Sequence, residues 1–150
     1  MPRSYASAVL NATADEVWAY LRDFGNLADW MPGMQAGVIE DGGPGDRVGC
    51  VRRVWATGDS VFRERLAGLD DAGRSYWYQI LEAPLPIRDA RAHLRVAPVT
   101  GTGQAFVEWW GEFSADPGDE EAMDKTLSHG IYATGLDALA RRFARRPGRT

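Results

Sequence analysis

Between Arg47 and Phe113 apolar and polar positions alternate with period two, and turn residues interrupt the alternation at regular intervals, which predicts an antiparallel meander. Five strands are expected there: Arg47–Ala56, Ser60–Leu69, Ser75–Leu81, Arg88–Val96 and Gln104–Phe113. Before the meander, Ser4–Leu10 reads as a first strand and Met34–Glu40 as a second, followed by the turn Asp41-Gly42-Gly43-Pro44-Gly45-Asp46. The stretch between those two strands switches to helical spacing. Thr13 and Glu16 form a capping box, and Val17, Trp18, Leu21 and Phe24 make one apolar stripe, broken at Gly25-Asn26. Leu27–Met31 is expected to add one short helical turn before Pro32-Gly33.

The last element is a long amphipathic helix, with Asp116 as expected N-cap and Pro117 at its first position. Acidic residues (Asp119, Glu120, Glu121) sit at its start and Arg141, Arg142, Arg145 and Arg146 at its end, as the helix dipole favours. Leu127, Ile131, Thr134, Gly135 and Ala138 share one face, flanked by Met123 and Leu139 and continued by Phe143. That face must lie on the sheet. The pattern is therefore α+β: a curved seven-stranded antiparallel sheet around a long C-terminal helix, with two short helices after strand 1. The connection Glu82–Ile87 differs from the others, because it is apolar and carries two prolines, which suits a segment that covers something.

Strand parity then selects a set of inward residues. The apolar positions Val48, Cys50, Val54 and Ala56 put Arg52 on the inner face and Arg53 and Trp55 outside. Pairing Ala56 with Ser60 across Thr57-Gly58-Asp59 sets Val54 opposite Phe62 and Arg52 opposite Glu64, with Tyr78 and Ile80 close by on the next strand. One account is a closed ion pair in a filled core. The other is a ligand pocket in which Glu64, Arg52 and the Tyr78 hydroxyl meet the polar end of a bound molecule. Small residues at inward positions (Ala90, Ala92, Ala105, Gly111, Gly135) favour the pocket, because a filled core would place larger side chains there. Trp109, Phe113, Leu127 and Ile131 would be apolar walls. His93 is expected to point outward, and His129 lies away from Ile131 on the helix, so neither is assigned to catalysis.

Composition narrows the function classes. At 150 residues, 45% hydrophobic and 25% charged, the chain suits one globular domain, expected over 1–146 with a flexible tail at 147–150. A net charge of −4 has the wrong sign for binding nucleic acid by counterion release. A lone Cys50 and two histidines give no metal-ligand set, and no Gly-rich phosphate motif is present, so neither metal nor other cofactor is expected. No apolar leader or membrane-spanning run is visible, and a cytoplasmic location is expected. Six Trp in so short a chain are unusual. Trp18 and Trp30 fall in the helical cap and Trp109 in the pocket. Trp55, Trp77 and Trp110 fall on the outer face, a partly apolar surface that could support a homodimer.

The run VGCVRRV…RERLAGLDDAGRSYWYQILEAPLPIRDARAHLRV, with VEWWGEF and GLDALARRF, resembles the START/Bet v 1-like (SRPBCC) superfamily, specifically its bacterial polyketide cyclase/dehydrase-like branch. It is also similar to the plant abscisic acid receptors, although the acid-binding lysine of those receptors has no counterpart here, Gln35 or a neighbour standing in its place. The resemblance implies a helix-grip fold with a ligand cavity between sheet and long helix. It implies pocket-lining roles for Arg52, Glu64, Tyr78, Ile80, Trp109, Leu127, Ile131 and Gly135, and mouth loops at Thr57-Gly58-Asp59 and Ala83–Ile87. The full ligand-binding set expected is Val54, Phe62, Ile80, Leu85, Ile87, Ala90, Ala92, Trp109, Phe113, Leu127, Ile131, Thr134 and Gly135, with Glu64, Arg52 and Tyr78 as candidate catalytic groups. Two functions follow: a cyclase or dehydratase that positions a polyketide-like molecule, with Glu64 as proton acceptor, Tyr78 as donor and Arg52 polarising a carbonyl, or a non-catalytic carrier or sensor of a hydrophobic small molecule.

Overall fold

A computed structural model describes residues 2–58 and 60–144. Seven strands, β1 (Arg3–Leu10), β2 (Met34–Ile39), β3 (Val51–Ala56), β4 (Val61–Asp70), β5 (Ser75–Glu82), β6 (Arg88–Pro98) and β7 (Ala105–Ser114), form one antiparallel sheet in the order β1-β7-β6-β5-β4-β3-β2. The meander is sequential, and β1 closes it by pairing with β7. The capping box forms as expected: Thr13 Oγ1 accepts from Glu16 N–H at 3.1 Å and Glu16 Oε1 accepts from Thr13 N–H at 3.2 Å, starting α1 (Ala14–Leu21). The helix ends earlier than its apolar stripe suggests. Phe24 belongs to a separate 3₁₀ turn (Phe24–Asn26), because the Asp23 carboxylate takes the Gly25 N–H and starts a new cap. A one-turn helix α2 (Leu27–Trp30) follows.

Two boundaries move from their expected places. β3 begins at Val51 rather than Arg47, since Gly49 takes φ +99° and Arg47–Cys50 closes as a turn. Val48, expected inside, is 54% exposed, while Cys50 is buried. The C-terminal helix starts at Glu120 with Asp119 as N-cap, not at Pro117. Asp116 to Asp119 is a turn, and the Asp116 carboxylate is drawn away to Arg88 at 3.3 Å.

From Glu120 the helix runs as α3 (Glu120–Lys125), a π segment (Thr126–Ala133) and α4 (Thr134–Ala144). The π segment changes which residues face the sheet. Leu127 is buried with Tyr132, five residues on, and Leu136, Leu139 and Phe143 continue the buried side. Thr134, placed on that face by ordinary helical spacing, is exposed, and its hydroxyl donates to the His129 carbonyl at 2.9 Å. Ser4 on β1 holds the helix to the sheet edge by donating to Asp124 at 2.9 Å. The core lies between the inner sheet face and the helices, and the alternating burial of β7 shows how strictly the two faces separate. The architecture is the helix-grip fold. No helix among the described residues is long and apolar enough to cross a membrane. Arg145, Arg146 and the tail 147–150 lie outside the described residues, as does Asp59.

Candidate functional site

The short connection between β3 and β4 sets the site. Ala56 N–H donates to Ser60 O at 2.7 Å, and from that closure Val54 pairs with Phe62 and Arg52 with Glu64, both charged residues pointing inward. On β5, Ile80 pairs directly with Glu64 and Tyr78 lies one diagonal away, opposite Leu66. The expected polar row is present on adjacent strands.

Arg52 is the largest of the fully buried side chains, 2% exposed. Its Nε donates to Glu64 Oε1 at 2.8 Å and its Nη1 to the Phe24 carbonyl at 3.1 Å. The guanidinium carbon sits 3.8 Å from the centre of the Phe24 ring and 4.7 Å from that of Tyr78, so two adjoining π faces contact the cation. Nη2 approaches the same Oε1 to 2.7 Å, but its N–H bonds do not point along that line, and it makes no hydrogen bond. Two donors crowd one carboxylate oxygen, and one keeps unused capacity in a buried place. Burial is the largest influence on this guanidinium and opposes its charge, yet Glu64 together with Tyr76 and Tyr78 outweighs it and raises the Arg52 pKa.

Trp109 Nε1 donates to the Tyr78 hydroxyl oxygen at 3.0 Å, which leaves the Tyr78 O–H free to donate elsewhere. Burial, and after it the Glu64 charge, pushes the Tyr78 phenol well above its ordinary range. Tyr78 is thus a neutral hydrogen-bond donor. Tyr132 packs against Trp109 with ring centres 4.7 Å apart and planes tilted by 33°, and its phenol is also raised by burial and then by Glu64.

These groups border a partly open hollow of about 30 Å³. Arg52, Phe62, Glu64, Tyr78 and Ile80 from the sheet form one wall, and Trp109, Leu127, Ile131 and Tyr132 another. Ala83, Leu85 and Ile87 reach in from the β5–β6 connection, half-buried, while Pro84 and Pro86 face solvent. Leu27, Met31 and Met34 close the remaining side. Sequence reasoning did not name Leu27, Met31, Met34, Ala83 or Tyr132 as lining residues. Tyr132 is detectable only through the π spacing from Leu127. The others come from a one-turn helix and strand start whose orientation no periodicity reports.

Six expected lining residues stand elsewhere. Thr134 is exposed, and Val54, Ala90, Ala92, Phe113 and Gly135 are buried but do not border the hollow. Nor do the small residues simply leave space. A Cβ at Gly111 would lie 2.3 Å from the Tyr132 hydroxyl, and one at Gly135 would lie 2.6 Å from Met31 Sδ and 2.9 Å from the Trp109 ring. Glycine there admits large neighbours rather than a void. Of the mouth loops, Thr57 and Gly58 do not border the hollow. His93 lies outside, on the outer sheet face, and His129 is exposed.

Among curated proteins no sequence matches this chain. Among solved structures, the protein XoxI of Bacillus cereus is 31% identical over 97% of each chain, with a TM-score of 0.82. A protein of Thermobifida fusca is 29% identical over 97% of this chain and 95% of that one, with a TM-score of 0.86. The di-domain ARO/CYC BexL from the BE-7585A biosynthetic pathway, at 22% identity over 94% of this chain and 46% of its own, shares the fold with a TM-score of 0.78. A family model described as polyketide cyclase / dehydrase and lipid transport matches residues 1–144, and the chain belongs to that family.

Proposed function

We propose that the chain binds a hydrophobic, ring-containing or polyketide-like small molecule in the hollow between sheet and C-terminal helix, and acts on it as a cyclase or dehydratase. The observation that carries this reading is the buried Arg52 guanidinium on the wall of a mostly apolar hollow, whose Nη2 touches Glu64 Oε1 at 2.7 Å without forming a hydrogen bond. An unused buried donor costs about 1–3 kcal/mol, which a ligand oxygen would recover. A carbonyl oxygen placed there would be polarised by Arg52, and Glu64 is the group beside it able to take a proton from the adjacent carbon. Tyr78, a neutral phenol oriented by Trp109, would donate a hydrogen bond to the oxygen on which charge develops. Positioning and exclusion of water would supply much of the rate. The alternative of a carrier or ligand sensor uses the same hollow and the same Arg52 contact without proton transfer, and the lipid-transport half of the family description favours it.

Native mass spectrometry of the purified protein tests binding directly, with a bound mass above the 16.5 kDa chain as the expected result. Ile131→Trp, which fills the hollow, should abolish that bound mass, and its persistence would place the ligand elsewhere. Once a substrate is identified, Glu64→Gln separates the two readings. Lost turnover with binding retained supports the enzyme, and unchanged turnover removes Glu64 as the proton acceptor.

A further inference from the structure

The outer face of the sheet carries a pattern that the hollow does not explain. On β6 the outward residues are Arg91, His93 and Arg95, and on β7 they are Glu112, Trp110 and Glu108, paired rung by rung in that order. Arg91 meets Glu112 at 3.1 Å and Arg95 meets Glu108 at 3.2 Å, on either side of a His93–Trp110 stack with centres 5.0 Å apart and planes 3° from parallel. Trp77 extends the stack on the other side of His93, 5.8 Å away, and lies over Gly68, where a Cβ would come within 2.5 Å of its Nε1. The result is an aromatic strip across β5, β6 and β7, ended by the Arg3 guanidinium 5.7 Å from the Trp110 ring centre, with one Arg–Glu rung on each side, so that the arginines of the rungs share β6 and the glutamates share β7.

We propose that this face binds a second copy of the chain, through a two-fold axis parallel to the strands and midway between β6 and β7. That axis sets the arginine row of each copy over the glutamate row of the other and each His93 over the Trp110 of the second copy. The perpendicular axis in the sheet plane would set arginine over arginine and glutamate over glutamate, so the charges choose between the two. The chosen arrangement is aligned sheet-on-sheet packing with the faces ~10 Å apart. Four strands at ~4.8 Å spacing and about seven residues at ~3.4 Å give roughly 450 Å² of flat face per copy. That is near half of the ~800 Å² each partner gives to a standard interface, so the association is weak and concentration-dependent.

Sedimentation velocity from ~1 to ~500 µM should show the monomer mass at the low end and a rise toward twice that mass at the high end. Glu108→Arg with Glu112→Arg should raise the dissociation constant at least tenfold, as should Arg91→Glu with Arg95→Glu. An equimolar mixture of the two double variants should restore the dimer, since at the four rung positions one presents only arginines and the other only glutamates. Trp110→Gln alone, which leaves every charge in place, should weaken the dimer as well and decides the matter if a double variant loses its far-UV circular dichroism. A monomer throughout the concentration range overturns the proposal. Folded double variants that dimerise like the parent, or a mixture that stays monomeric, overturn the two-fold arrangement. The outcome does not depend on what the hollow binds.

Discussion

Replacing Glu64 with Gln removes one charge of a pair whose side chains are 2% and 7% exposed, and strands the Arg52 guanidinium in the core. Breaking a buried pair from one side costs about 3–5 kcal/mol, because the remaining charge keeps its desolvation penalty and loses its counter-charge. Three contacts of Arg52 survive the change: the Phe24 carbonyl at 3.1 Å and the two rings at 3.8 and 4.7 Å. A desolvated cation–π contact is worth up to ~2 kcal/mol, so the loss belongs at the lower end, about 3 kcal/mol. For a chain of this size that is a fall in Tm of roughly 6–12 °C. Arg52→Met combined with Glu64→Leu removes both charges and should lie within ~1 kcal/mol of the parent, or above it. Urea unfolding followed by tryptophan fluorescence reads both, with an unchanged m-value confirming that the change is in stability alone. A single variant that loses less than ~1 kcal/mol, or a double variant as unstable as the single, would refute the reasoning. It would mean that water in the hollow already solvates the guanidinium.

Gly111→Ala should cost about 1–3 kcal/mol by driving a methyl into the Tyr132 hydroxyl, and Tyr132→Phe, which deletes that oxygen, should recover much of the loss; a double-mutant cycle by chemical denaturation measures the coupling. Thr13→Ala removes the hydroxyl half of the α1 capping box and should lower stability by ~1 kcal/mol in the same assay. The Arg63 hydrogen bond, with Arg53 beside it and partial desolvation opposing, holds Glu40 down to about 2 from an ordinary 4.5. Its contribution is therefore present above pH 4.5 and is lost as the pH falls toward 2. Glu40→Gln should flatten the dependence of Tm on pH within that window, lower Tm slightly at neutral pH where the contribution is present, and converge with the parent toward pH 2.

The sheet was legible in the sequence because alternation and a short turn together determine register. Once Thr57-Gly58-Asp59 was read as the β3–β4 connection, the pairs Val54 with Phe62 and Arg52 with Glu64 followed by counting, and both form. The same counting reached Tyr78 only to within a diagonal, because β4 slips register between Leu66 and Gly68 and no alternation announces a bulge. On the C-terminal helix the error had a different origin. A period of 3.6 residues placed Thr134 inside, whereas the π segment turns the chain by an extra residue and buries Tyr132 instead. The small residues misled for a third reason. Glycine at 111 and 135 marks close approach, and whether the approaching body is a ligand or a neighbouring side chain is decided by Tyr132, Met31 and Trp109, which lie far away in sequence.

A volume of about 30 Å³ admits about one water molecule, whereas sites for ring-sized ligands run to ~300 Å³ or more. The difference must come from movement, and the walls are not equally able to move. Arg52, Glu64, Tyr78 and Trp109 stand on central strands paired on both sides, so displacing them would break ladder hydrogen bonds. Opposite them, Leu27 and Met31 belong to a single helical turn and its cap, and Leu85 and Ile87 to an irregular connection. Low local stability and flexible side chains such as Met31 and Met34 make this the yielding side. A ligand that reaches Arg52 therefore meets a fixed polar wall and makes its own room against α2 and the 83–87 segment. Affinity for any such ligand is reduced by the cost of that opening, so substitutions that loosen α2 should alter binding more than substitutions of similar size in the sheet.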